Sequence, residues 1–481
     1  MLRSLAPLAA LTLLACSGDK DPGTETGAPS VDVDLTVAPG PIPGIMIATV
    51  TTSEDAVVEL EYGLEETILS HPVLGNGGTD HRFVVLGLKT DHDYVFEAVA
   101  LASESSTRSD LVTAHTDPTV EDVPTFTVTT NDTEQTCQPD GFLLLTWVQG
   151  GNSGMTIVDK DGDIVWSVPL TDTDVQASRA QITHDGSGIV YTTADALRQD
   201  LVGEVVVQPI DGTDPTVTST PTAHHDVVPL PDGNVAWLGY SFGDYLCDGG
   251  GTIEDAAVDT IEEATPGGST TVLYDMFDDY PHPLDCSTGS SFFLPGRYDL
   301  THSNSLMYRE SDDAFFHMLR WHDTLIKVDR SSGDYQWQFG GTYSEFTPAA
   351  GQDPEDIFHH GHMSDIWNGG MMVFDNNDPG PSVVREYTID EDAMTWEQAW
   401  AWDTGAFELL LGDIRRLPQP ECRDHVLVTQ STSGVVREML QDAVGTTVWM
   451  LEPEVSNTIV SRAEVIPDIY DLASAKLSPG R

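Results

Sequence analysis

Basic side chains are scarce in this chain. Lysine and arginine together number 21 in 481 residues, against 78 aspartates and glutamates, for a formal charge of −57. Such a field repels phosphate backbones and anionic lipid head groups, which argues against nucleic acid and acidic membrane surfaces as partners. It also repels any small anion at long range, so an anion site would need its own local cations and N–H donors. Helical periodicity is nearly absent, and after the first fifteen residues no stretch is long and apolar enough to cross a bilayer as a helix. Cysteine is sparse. None of the five sits in a Cys-x-x-Cys pair, so zinc-ribbon and thioredoxin-type chemistry have no support. The Cys-x-Pro-x-Arg signature of sulfatases is missing too: Cys286 is followed by Ser-Thr-Gly and Cys422 by Arg-Asp-His.

The amino terminus carries Arg3, an apolar run from Leu5 to Ala15, and then Cys16. This is a charged leader with an apolar segment too short to span a membrane. Leu13-Leu14-Ala15-Cys16 resembles the lipobox of bacterial lipoproteins. That resemblance implies a signal peptide over 1–15, lipidation of Cys16, and a polar tether over 16–30. The expected location is outside the cytoplasm, lipid-anchored to a bacterial membrane on its periplasmic side or at the cell surface. Cys137, Cys247, Cys286 and Cys422 remain, an even number that suits two structural disulfides with three connectivities open.

Residues 31–118 show short alternating segments: Val31–Val37, Ile45–Thr51, Ala56–Tyr62, Arg82–Leu88, Tyr94–Leu101 and Leu111–His115. Period-two patterning at this spacing predicts a small β-sandwich. The stretch from Gly87 through Tyr94 to Ala100 resembles the end of a fibronectin type III domain, which implies a tyrosine corner at Tyr94 and a spacer role.

Residues 119–481 have another rhythm, of apolar strands joined by tight turns. Ile157–Trp166 around Asp161-Gly162, Val227–Leu238 around Asp232-Gly233, and Leu325–Phe339 around Gly333-Asp334 each read as a hairpin. Several such strands carry a tryptophan: Trp166, Trp337, Trp400 and Trp449. Repeated hairpins over this length predict an all-β protein in which the sandwich precedes a β-propeller of about six four-stranded blades. Asp159, Asp161 and Asp163 suggest calcium, but the sixth position of such a loop is Ile164 and the twelfth Leu170, where a glycine and an acidic ligand are needed. A hairpin turn is the expectation there.

Nine of the fifteen histidines fall between His224 and His362. In a propeller, strand-opening positions line one end of the central channel, so histidines from different blades can meet. His224-His225-Asp226 and His302-x-Asn304-Ser305 resemble motifs of the bacterial arylsulfate sulfotransferases that work without the nucleotide donor PAPS. So do Arg320 with Thr324–Asp329, Trp337-Gln338-Phe339, a histidine shortly before Phe374-Asp375-Asn376, and the closing Ser461–Pro467. The resemblance implies a sandwich followed by a six-bladed propeller, with no cofactor and no metal. It implies transfer of a sulfuryl group from a phenolic sulfate ester to a phenol through a sulfohistidine.

His362 is then the nucleophile, favoured over His359 and His360 by its distance to Phe374-Asp375-Asn376. His302, Arg320 and His225 would complete the catalytic set, and Asn304, His224 and His360 would hold substrate. His317, His322 and His359 are read as bystanders. The chemistry suits the residues. Imidazole is an unprotonated nucleophile near neutral pH, a guanidinium fork matches sulfate oxygens, and a second histidine can protonate a departing phenolate. The implied partners are a small aryl sulfate and a phenol, with membrane contact through the lipid only and a homodimer as an open option. Two other readings use the same residues: a non-catalytic propeller binding a ligand or partner, and a metal hydrolase built on His225, His360 and His362.

Overall fold

A computed structural model describes residues 31–65, 68–101, 106–137, 141–170, 176–194, 203–247, 250–292, 294, 296–409, 411–417, 422–466 and 468–470. The leader, the tether and Cys16 lie outside the described residues. Among those described, every extended element is a β-strand and the only helical pieces are three-residue 3-10 turns. None is long and apolar enough to cross a membrane as a helix.

The first sheet is formed by β1 (Val33–Pro39), β2 (Met46–Glu65), β3 (Ile68–Val85), β4 (Asp93–Leu101), β5 (Ser106–Arg108) and β6 (Val112–His115). Two segments expected to be separate strands, Ile45–Thr51 and Ala56–Tyr62, are halves of the single strand β2. The first half pairs with β1 and the second with β4, while β3 runs along the other edge. β1 also approaches β4 and β6 without pairing to them, so the ladder folds into two layers. Between the layers lie Leu35, Met46, Val50, Val58, Leu60, Phe83 and Phe96. The Lys89 N–H donates to the Tyr94 hydroxyl at 2.9 Å, the hydrogen bond of a tyrosine corner.

Six sheets follow, each built on four antiparallel strands and three of them carrying a fifth, and they form a propeller. Their innermost strands, in ring order, are Ile459–Ile466, Gln176–Ile182, His224–Pro229, Ser303–Arg309, Gly361–Trp367 and Asp413–Arg416. The ring closes twice. The last strand of the chain supplies the innermost position of blade 1, pairing with Phe142–Gln149. β7 (Phe126–Asn131) adds a fifth, outermost strand to blade 6 against Thr447–Pro453. Cys137–Cys422 ties the chain after β7 to the same blade, and Cys247–Cys286 closes a loop at blade 3.

The expected hairpins are present, with Gly162, Gly233 and Gly333 at positive φ in their turns. The four tryptophans have a common task. Each sits in the fourth strand of its blade, and its indole N–H donates to a residue just after the third strand of the next blade. Trp166 reaches the Ile210 carbonyl (3.1 Å), Trp337 the Glu391 carboxylate (3.1 Å), Trp400 the Asp442 carbonyl (3.0 Å) and Trp449 the Lys160 carbonyl (2.9 Å). A large apolar ring with one polar tip fills the gap between blades while satisfying its own donor.

The turn at Asp159–Asp163 is filled by a side-chain ammonium. Lys89 Nζ, from the loop between β3 and β4, lies 3.3 Å from Asp159, 3.5 Å from Asp161 and 2.5 Å from Asp163. Asp159 also accepts from the N–H groups of Asp161 and Asp163, as an Asx turn does.

Candidate active site

The innermost strands do not run straight into the channel. Each of the strands that carry a predicted site residue bulges where that residue sits. In blade 4 the pairing steps from Ser303–Leu319 to Ser305–Met318, leaving Asn304 as the extra residue. In blade 5 it steps from Gly361–Asp375 to Met363–Phe374, and His362 is extra. In blade 3 His225 and Asp226 lie between the paired His224 and Val227. A bulge re-aims a side chain that regular pleating would bury in the sheet. The backbone is left-handed at or next to these bulges: at His225 (φ 50°) inside the bulge of blade 3, and at His302 (φ 52°) and His360 (φ 54°), each one residue before its bulged strand. Side chains other than glycine adopt this conformation rarely.

His362 is buried, 1% exposed. Its Nδ1 lies 2.8 Å from Arg179 Nη2 and 3.2 Å from the Gly412 carbonyl oxygen. Its Nε2 has no hydrogen-bond partner among the described residues. Burial first, then the charges of Arg179 and Arg320, hold the imidazole well below its ordinary pKa, so the ring is neutral around pH 7. His225 is depressed in the same way, by burial and then by His302, His224, Arg179 and His362. Groups that depress one another in this manner share one small volume. In a chain of charge −57, that volume holds the guanidinium groups of Arg179 and Arg320, whose charges act on His362.

His302 Nδ1 lies 2.5 Å from Asp299 Oδ2, and its ring meets that of His225 edge-on at 4.9 Å. The Asp299 carboxylate accepts a hydrogen bond from Nδ1–H and so fixes the orientation of the ring. His224 stands behind His225: Nδ1 touches His225 Nδ1 at 2.8 Å, Nε2 touches Asp259 Oδ1 at 3.1 Å, and the ring stacks on Tyr240. Asn304 is fully buried. Its Nδ2 makes one long bond, 3.4 Å, to the Gly361 carbonyl, and its Oδ1 has no partner among the described residues.

Arg320 opens the 3-10 turn Arg320–His322 after the second strand of blade 4. Its Nη1 donates to Asn376 Oδ1 at 2.5 Å and its Nη2 to the Leu409 carbonyl at 2.7 Å, while its buried Nε has no partner among the described residues. Burial pushes its pKa down to about 10, which still leaves it charged at neutral pH. The Phe374-Asp375-Asn376 motif is thereby explained. Asn376 aims Arg320, and Asp375 accepts from the His359 N–H at 3.0 Å to fix the loop that leads to His362.

His360 is the least embedded of the predicted set. Its N–H donates to Asp323 at 2.6 Å, and its ring meets Trp321 edge-on at 6.0 Å. His359 is half exposed on Asp323. His225, His360 and His362 do not form one of the tight donor clusters found among the described residues.

Sequence reasoning passed over Arg179. It is fully buried at a bulge of blade 2, with φ 35°, and it bonds to His362, to the Asn304 carbonyl and to Asp226 (3.4 Å). Asp226 also binds Arg462 Nη1 at 2.9 Å and accepts from the Leu306 N–H at 2.9 Å, so with Arg179 it joins four blades. Asp299, which orients His302, was passed over as well. The available signal for Arg179 was a cation between Ala177 and Ala180 on a strand, in a chain with few cations.

His317, read as a bystander, is buried beside Tyr274 and Ser303, and burial pushes it down to about 4. Its stabilising contribution is complete above the unfolded histidine pKa near 6.5. It is lost as pH falls, because the unfolded chain takes up a proton that the folded chain refuses. Between pH 7.5 and 5 the loss is about 2 kcal/mol for this residue. Urea unfolding of wild type and His317→Gln at both pH values should show the gap between them closing by that amount as pH drops, while other titrating groups cancel in the difference. A gap independent of pH contradicts the assignment.

These features define a class: a six-bladed β-propeller whose innermost strands bulge to gather histidines and arginines in an otherwise anionic chain. The family can be stated as well. A sequence model of the arylsulfotransferase (ASST) family matches residues 127–460, well over half of the chain, and the chain belongs to that family. It is a family of aryl sulfotransferases, which are transferases that bind small aryl substrates. No curated protein matches the chain. Among solved structures it is similar to the β-propeller domain of Cps50 (Swd1) from Myceliophteria thermophila, at 10% identity, covering 69% of this chain and 88% of that one with a TM-score of 0.40. It is also similar to the periplasmic gluconolactonase PpgL of Pseudomonas aeruginosa, at 13% identity, covering 85% and 100% with a TM-score of 0.36. Neither similarity bears on the chemistry of this site.

Proposed function

We propose that the protein transfers a sulfuryl group from a phenolic sulfate ester to a phenol through a sulfohistidine at His362, without a nucleotide donor. The observation that carries this reading is a buried, neutral imidazole with an unpartnered Nε2 beside two guanidinium groups. In the first half-reaction the Nε2 lone pair attacks sulfur, an N–S bond forms, and the bond from sulfur to the aryl oxygen breaks. The departing aryloxide takes a proton from His302, which is left as the neutral imidazole hydrogen-bonded to Asp299. In the second half-reaction the same base removes the proton of the incoming phenol, whose oxygen attacks sulfur and releases the imidazole.

Arg320 and Arg179 meet the charge on the sulfate oxygens. A half-turn of the Asn304 amide would present N–H groups to the same oxygens, and side-chain amides are exchangeable in this way. The aryl ring would lie against Trp321, whose ring packs 5.2 Å from that of His302. Export and lipid anchoring through Cys16 are part of the same proposal, supported by the leader and by a surface charge that discourages other membrane contact.

A chromogenic aryl sulfate tests the function directly. Steady-state phenol release should need an acceptor phenol and no nucleotide, and double-reciprocal plots at several acceptor concentrations should be parallel, as a ping-pong scheme requires. Absence of release with any phenolic acceptor would refute the assignment.

A further inference from the structure

We infer that Arg179 is a sulfate-binding and positioning residue that holds His362 in its non-nucleophilic tautomer until an anion draws the guanidinium away. This rests on the sulfuryl-transfer reading and adds the control of that same site.

Two groups approach His362 Nδ1 with opposite demands. The Arg179 guanidinium, 2.8 Å away, can only donate, and the Gly412 carbonyl, 3.2 Å away, can only accept. A neutral imidazole nitrogen satisfies one or the other. The arginine contact is the shorter and is charge-assisted, so it prevails in the ligand-free protein. Nδ1 then accepts, and the ring proton sits on Nε2. A protonated Nε2 has no lone pair with which to attack sulfur.

An anion changes the contest. Arg179 touches His362 directly, and the charge of Arg320 acts on the same ring. A guanidinium binds sulfate oxygens through paired hydrogen bonds, a better match than one imidazole nitrogen. Arg179 need not leave its place. Nη1 keeps Asp226 and the Asn304 carbonyl as partners while the planar guanidinium pivots about it, so that Nη2 and Nε turn their N–H groups toward the sulfate. Nδ1 then takes a proton and donates to Gly412, while Nε2 loses its proton and exposes a lone pair. The exchange passes through the imidazolium, with one proton added and one lost, so no net proton is gained. The sulfate charge makes that imidazolium accessible by offsetting the two cations that otherwise disfavour it. The nucleophile is therefore armed by its own substrate.

The test is nitrogen NMR of histidine-labelled full-length protein, with His362→Gln identifying the signals, titrated with inorganic sulfate at constant ionic strength. Ligand-free wild type should show the Nε2–H tautomer of His362 in about tenfold excess or more, the ratio expected of a hydrogen bond to a charged group. Saturating sulfate should convert it to the Nδ1–H tautomer. Arg179→Lys, which keeps the charge but loses the fork, should show the Nδ1–H tautomer before any sulfate is added. Nδ1–H in the ligand-free wild type, or Nε2–H persisting at saturating sulfate, overturns the inference. The readout does not depend on turnover. A protein that switches tautomer without sulfating His362 would refute the transfer reading alone, and one that sulfates His362 without switching would refute the latch alone.

Discussion

His362→Asn is expected to lower turnover of an aryl sulfate by about 10⁴-fold or more, the scale seen when an enzyme loses its nucleophile. The size follows from what remains. Arg179, Arg320, Asn304 and His302 would still bind the sulfate ester, but no neighbour can replace the attacking nitrogen at that place. His225 is buried and neutral like His362, yet its Nδ1 is engaged by His224, which is in turn tied to Asp259. His360 is only two residues away, but its backbone is fixed on Asp323 and its ring is partly exposed beside Trp321. The loss should therefore fall on kcat, with KM for the aryl sulfate little changed. Michaelis parameters for the variant check both parts, and a variant that retains even a hundredth of wild-type kcat would return the nucleophile role to His360 or His225.

Asp226→Ala should be among the most destabilising single substitutions in the propeller, costing about 3–5 kcal/mol, the usual consequence of leaving a buried charge without its partner. Asp226 is fully buried between Arg179 and Arg462 and also accepts a backbone N–H from blade 4. Removing it leaves two guanidinium groups in a dry interior with less counter-charge. Asp226→Asn keeps the shape and loses the charge, so it should lose most of the same stability if the charge dominates. Urea unfolding of the three proteins decides. Near-wild-type stability for Asp226→Ala would mean that Arg179 and Arg462 are compensated elsewhere, and Asp413 near both is the group to examine next.

The alternating strands, the turn glycines and the fourth-strand tryptophans made the propeller legible, because each is a local signal with a local cause. The site was legible only where a motif opened a strand, as at His224-His225, His302 to Asn304, and His362. What those motifs encode is a bulge with a left-handed histidine in it or beside it, and a string of residue letters does not display a φ angle. Arg179 was illegible for a different reason. Its partners Asn304 and His362 lie 125 and 183 residues away in sequence, and it stands in a plain run of Ser-Arg-Ala-Gln. Asp299 was missed although it is only three residues before His302, since nothing marks a lone carboxylate as an orienting group until the ring is seen beside it. The continuous strand β2 was read as two because Thr52, Ser53, Glu54 and Asp55 look like a turn, whereas the pairing with β3 resumes beyond them.

The central claim is that His362 carries the sulfuryl group. Its most direct test is to mix the protein with an aryl sulfate in the absence of any phenolic acceptor and to analyse it under alkaline, acid-free conditions by intact and peptide mass spectrometry. Sulfated histidine is expected at His362, formed in step with a burst of one phenol per protein and discharged when a phenol is added. A sulfuryl group on another residue, or a full phenol burst with no protein adduct, would contradict the account.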